Sequence, residues 1–197
     1  MSEQAIQRGL RLEYATIGYN VLEAIVALAS GTVSGSVSLI SFGVDSLIEV
    51  SSGAVMIWRL GKCADVAERR AQKLIAASFF VLAAWILWKS LESLWSREGP
   101  ALSWTGIALA ALSLLVMPAL AKAKRRVGIA LDSAAMVADS RQTGLCAYLS
   151  AILLAGLLLH ALFGWWWTDA VASLAMTPII VREGVGAWRG QGCGCPH

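Results

Sequence analysis

The chain has 197 residues, 57% hydrophobic and 15% charged, against about 25% charged in soluble domains. Apolar stretches near the ~20 residues of a membrane span recur along its length, which excludes a soluble globular fold and leaves no room for a separate soluble domain. The net charge of +3 does not point to nucleic acid, because the basic residues are dispersed among short segments rather than gathered in one patch.

Residues 1–12 are polar and mixed in charge. They lack the apolar core and cleavage site of a signal peptide and are expected as a cytoplasmic segment. Six apolar stretches follow, over residues 14–30, 37–60, 72–95, 101–120, 127–163 and 168–188. An uncharged Gly/Ser turn, Gly31 to Gly35, joins the first two, and Gly164 to Trp167 joins the last two. The fifth stretch exceeds what one bilayer crossing needs. Its mixed first part, Val127 to Arg141, is expected to project toward the cytoplasm or line a cavity; no proline is present to break it. The expected fold is an all-α integral membrane protein with six transmembrane helices over residues 13–189 and a short Cys/Gly/His tail over residues 190–197.

Basic residues set the orientation. Arg59, Lys62, Arg69, Arg70 and Lys73 are assigned to a loop after span two, and Lys122, Lys124, Arg125 and Arg126 to a loop after span four. Both runs are explained by topology and by anionic lipid, and they put both termini in the cytoplasm. Trp95, Trp104 and Trp165 to Trp167 suit the opposite interface. The four cysteines, Cys63, Cys146, Cys193 and Cys195, form no secreted-type disulfide framework.

Span two carries Asp45 and Glu49 one helical turn apart, with Gly43, Ser46 and Gly53 small enough for close helix approach. Charged groups in hydrocarbon are costly and normally line a cavity, a pathway or a partner. Two carboxylates at i, i+4 can share one ion with a facing helix; the alternative is that they pair with Arg141 or cap polar backbone. In span five, Asp139, Gln142, Thr143 and Cys146 follow i, i+3, i+4, i+7 and form one stripe, which Asp132 extends. Cys146 alone reads as a small packing residue, but beside Gln142 and facing an acidic pair it reads as a ligand; as a thiolate it suits Zn²⁺ and Cd²⁺ better than Mg²⁺ or Ca²⁺. Glu23 in span one suits either a polar contact or a cation entry route. Glu183, beside Arg182, is expected at the water-reachable end of span six. Lys89 and Glu92 are expected to pair, and His160 to lie at the interface.

At these residues the chain resembles the cation diffusion facilitator family. Val44 to Glu49 is similar to the family's second-span D/H-x-x-x-D motif, and Ala138 to Cys146 lies where the family has A-D-x-x-H-x-x-x-D. Asn20, Ser34-Gly35-Ser36 and Trp167-Thr168-Asp169 extend the resemblance over nearly the whole chain. It implies a cation-efflux-type bundle in a bacterial inner membrane: a transporter rather than an enzyme, exporting a divalent cation by proton antiport from a site between spans two and five. The implied ligands are Asp45, Glu49, Gln142 and Cys146, with Asp139, Cys193, Cys195 and His197 as further candidates. No tightly bound cofactor is implied; the cation is cargo, zinc first, with cadmium, cobalt and iron behind it. Gln142 and Cys146 depart from the family's His and Asp. Protons would then exchange on Cys146, Glu49 or Asp45. The resemblance is to short family members expected to lack the C-terminal cytoplasmic domain, in which case a homodimer would form within the membrane, with Trp85 and Trp88 as a candidate surface unless they face lipid. The rival is a non-transporting metal-binding or regulatory protein of the same fold; a cationic-drug exporter is a third reading.

Overall fold

A computed structural model describes residues 3–61, 65–97, 99–131 and 134–189. They form six α-helices: α1 Glu3–Ser34, α2 Val37–Gly61, α3 Asp65–Ser96, α4 Trp104–Ala130, α5 Ala134–Phe163 and α6 Thr168–Trp188. No strand occurs among the described residues. Among the described residues, four stretches, Ile6–Ser34, Val37–Ala54, Trp104–Ala130 and Asp139–Phe163, are long and apolar enough to cross a membrane.

Several boundaries move from where hydropathy puts them. α1 begins at Glu3, because the glutamines, arginines and leucines of its first turns are good helix formers. The turn expected over Gly31 to Gly35 shrinks to its last residue: Gly35 takes φ 71°, and Ser36 N–H donates to the Gly31 carbonyl at 3.0 Å. That is the bond pattern of a left-handed helix stop, which a glycine adopts without a Cβ penalty. The expected basic loops are largely helical. Arg69, Arg70 and Lys73 lie in α3, and Lys122 to Arg126 form late turns of α4. Lys, Arg and Ala favour helix over loop where no turn residue intervenes. The long fifth stretch is in fact two helices. Residues 127–130 complete α4, Leu131 caps it with φ −91° and ψ −3°, and α5 starts at Ala134.

α1, α2, α5 and α4 pack in a ring, each against the next, while α3 and α6 pair and lie against α2 and α5. Glycines let α1 and α2 approach closely. A Cβ at Gly43 would fall 2.9 Å from Leu28 Cγ, and one at Gly53 would fall 2.9 Å from Ile17 Cγ1. The outer faces carry exposed apolar side chains such as Val81, Leu115 and Leu162, as lipid contact requires. Buried polar residues repeat along the inward stripes of α1 (Glu13, Thr16, Asn20, Glu23) and α4 (Ser113, Lys124).

Trp95 and Trp104 are exposed, and Trp165 stacks on Trp167 with centroids 5.3 Å apart. A hydrogen bond from Ala101 N–H to the Ser34 carbonyl, 2.7 Å, brings the α3–α4 connection against the α1–α2 turn at this end. The tryptophans therefore gather at one end of the bundle, and the basic residues of α4 lie toward the other.

Candidate metal centre

The period of α2 puts Asp45 and Glu49 on one face, directed at the seam between the ring and the α3–α6 pair. α5 runs alongside and presents Gln142 and Cys146 to the same place. All four residues line one small cavity, joined by Glu183 from α6. Leu145 and Leu149 of α5, Ile179 and Ile180 of α6, and Phe79 of α3 form its apolar walls. The cavity thus lies between α2, α5 and α6, outside the interior of the ring.

Glu49 is 4% exposed and faces Thr143 and Cys146, yet its Oε1 has no hydrogen-bond partner. Cys146 is a buried free thiol. Gln142 Oε1 accepts a hydrogen bond from Ser52 Oγ at 3.0 Å, which holds the amide across the α2–α5 contact while leaving the oxygen a second lone pair. Two carboxylates, an amide oxygen and a thiol therefore border one space. Among the described residues, no three His, Cys, Asp or Glu side chains already stand in metal-holding geometry. The set is open rather than a closed tetrahedral cage.

Arg141 is exposed and does not neutralise the acidic pair. Asp139, although on the α5 stripe, accepts from Lys124 Nζ at 2.6 Å and is not among the cavity's lining residues. Asp132, Cys193, Cys195 and His197 lie outside the described residues.

Three polar features escaped hydropathy-based reading. The first is Lys124, wholly buried rather than lipid-facing, which bridges Glu13 Oε2 at 3.0 Å and Asp139 Oδ2 at 2.6 Å and so ties α4 to α1 and α5. Its signal was available: Gly106, Ala110, Ser113, Met117, Lys124 and Gly128 form the continuous buried stripe of α4. The second is Asp169 in the first turn of α6. Its Oδ1 accepts from Ser36 Oγ and Ser38 Oγ at 2.5 Å each, and its Oδ2 from the Val37 and Ser38 amides at 2.9 and 3.4 Å. A carboxylate here satisfies open amides at the N-terminus of α2 and meets the positive end of its dipole. The third is Glu183, half-buried, which lies seven residues beyond the buried Met176 and three beyond the buried Ile180 and lines the cavity. Glu23, by contrast, is a polar contact: its Oε2 accepts from Ser46 Oγ at 2.8 Å between α1 and α2.

Residues 67–189 match a family model described as the cation efflux transmembrane domain. A curated relative, "Uncharacterized transporter sll1263" of Synechocystis sp., is 27% identical over 176 residues, covering 83% of this chain and 57% of the relative. The chain thus spans a little over half the length of that relative. The family match and the apolar helices make this an integral, multi-pass membrane protein.

Proposed function

Since this chain belongs to the cation efflux family, the cation diffusion facilitators, we propose that it moves a divalent cation across the membrane through the cavity between α2, α5 and α6. One observation carries this reading. Asp45, Glu49, Gln142 and Cys146, from two helices almost a hundred residues apart in sequence, line a single cavity. Oxygen and thiolate donors together favour Zn²⁺ over Mg²⁺ or Ca²⁺, since thiolate is a soft ligand.

In the proposed cycle the cavity first faces the cytoplasm. Zn²⁺ displaces protons from Glu49 and Cys146, because metal and proton compete for the same lone pairs. The seam between ring and pair then opens toward the other side, where protons return and the cation leaves. Export is thereby driven by proton entry. The sign of the pH effect follows: binding releases protons, so Zn²⁺ affinity rises with pH.

The test is Zn²⁺ flux into proteoliposomes with and without a pH gradient, for the wild type, Asp45→Ala and Cys146→Ser. Flux that needs the gradient and falls in both variants is expected. Normal transport by both variants would show the site to be elsewhere, and stoichiometric binding without flux would overturn transport itself.

A further inference from the structure

Eight acidic residues have described side-chain surroundings, and they divide into two groups. Glu13 and Asp139 hold Lys124, Glu23 accepts from Ser46, Glu92 pairs with Lys89 at 2.8 Å, and Asp169 caps α2. Of the other three, Asp45 and Glu183 make no side-chain hydrogen bond or ion pair of ordinary geometry among the described residues, and Glu49, which faces Thr143 and Cys146, has one buried oxygen without a partner. All three line the same cavity. Acids left short of partners where a bundle pairs the rest are poised for a ligand that comes and goes.

We propose that Glu183 of α6 is a ligand of the transported cation, binding it together with Asp45 and Glu49, and that the bound cation thereby ties the α3–α6 pair to α2. The inference rests on the transport reading above and assigns it a residue beyond the α2–α5 set. The second observation pointing to a ligand is Glu49, whose buried Oε1 is unpartnered on the cavity wall. Position agrees. Counted from the tryptophan-rich ends of their helices at about 1.5 Å per residue, Glu49 lies roughly 18 Å and Glu183 roughly 22 Å along the axis. Its sequence neighbour Arg182 is exposed and does not line the cavity.

The three carboxylates are not yet in metal-holding geometry, so binding requires α6 to approach α2. α6 is already fastened to α2 at one end through Asp169. Glu183 is 14 residues further along, roughly 21 Å at the α-helical rise. Between them stands Pro178, which removes one rung of the helix ladder. The approach is therefore a swing of the Glu183 end about the Asp169 end. Cation occupancy and the ring–pair seam become one mechanical event.

The test uses the purified full-length protein, with Cys193→Ser/Cys195→Ser as background so that the tail does not bind the probe. Zn²⁺ affinity is measured calorimetrically, and amide exchange over residues 176–186 is followed with and without ZnCl₂. Glu183→Gln is expected to weaken Zn²⁺ binding at least about tenfold, at the low end of what loss of a supporting metal-site group costs. It should also abolish the Zn²⁺-dependent protection of α6, while Arg182→Gln changes neither. Wild-type affinity in Glu183→Gln alongside impaired Asp45→Asn overturns the role of Glu183 and leaves the cavity reading standing. Wild-type affinity in both removes the cavity reading and this inference together. If Glu183→Gln does not fold, the exchange experiment on the background protein decides: absence of Zn²⁺-dependent protection in α6 refutes the proposal.

Discussion

Replacing Lys124 with Met isolates what the buried ion network contributes to the bundle. The ammonium lies 3.0 Å from Glu13 and 2.6 Å from Asp139, with Lys124 and Glu13 fully buried and Asp139 7% exposed. Methionine keeps the length and apolar stem of the side chain but leaves two carboxylates without a counter-charge. Breaking a buried pair in this way costs about 3–5 kcal/mol. Because one ammonium serves two carboxylates on different helices, the loss should fall in the upper part of that range. At roughly 2–4 °C per kcal/mol for a chain of this size, the melting temperature in detergent should drop by roughly 8–20 °C, read from the nine tryptophans. Glu13→Gln should cost less, about 1–3 kcal/mol, because the Lys124–Asp139 pair survives. The triple variant Glu13→Gln/Lys124→Met/Asp139→Asn should recover most of the loss, since no charge remains to be compensated. A Lys124→Met protein that melts within about 2 °C of wild type would refute this account, since that is the shift expected from a change below about 1 kcal/mol. So would a triple variant no more stable than the single one.

Asp169→Ala strips the acceptor from two hydroxyls and two amides at the start of α2. It should destabilise the protein by about 2–3 kcal/mol and speed amide exchange at Val37 and Ser38 ahead of the rest of the helix. Cys146→Asp trades a soft donor for a hard one; the ratio of Cd²⁺ to Zn²⁺ affinity should fall, by about tenfold or more, in a direct competition titration. Gly53→Leu pushes α1 and α2 apart against Ile17 and should cost about 1–3 kcal/mol, whereas Gly18→Ala, open on its outer side, should raise stability by up to about 1 kcal/mol. Glu49→Gln removes a buried carboxylate that has one oxygen without a partner. It should raise the melting temperature of the metal-free protein by roughly 2–4 °C, worth about 1 kcal/mol, while abolishing the further rise that Zn²⁺ gives the wild type.

The helix count and the α2–α5 acidic and thiol face were legible in the sequence, because both follow from periodicity: long apolar runs, and ligand-type residues at i, i+4. Misreadings arose where residue type was used in place of period. Lys124 and its basic neighbours looked like a loop because charge lowers a hydropathy average, although Lys124 falls on the same buried stripe as Ser113 and Met117. Glu183 was read as an end-of-helix acid, and it is half-buried near the end of α6; only its spacing from Met176 and Ile180 hints that it also borders the cavity. The break between α4 and α5 was hidden because neither Gly nor Pro marks it; Leu131 ends the helix through its own backbone bonds to Val127 and Ile129. The Asp169 cap joins residues 133 positions apart, and no local pattern announces a contact of that kind.

Buried charge has two opposite meanings in this bundle, and hydrogen-bond accounting separates them. Within the ring and at the α2–α6 corner, acids meet donors that compensate them: an ammonium at Glu13 and Asp139, hydroxyls and amides at Asp169. Such groups fix which helix faces which, and removing a partner exposes the full desolvation cost of the charge left behind. At the ring–pair seam no cation among the described residues pairs with Asp45 or Glu49, and the buried Glu49 Oε1 carries a desolvation cost that a bound cation would offset. On the proposed transport reading, the same side-chain chemistry that stabilises the frame at Lys124 would leave the seam between α2 and α6 to close on a cation. For this reason, substitutions at the two places should shift metal-free stability in opposite directions.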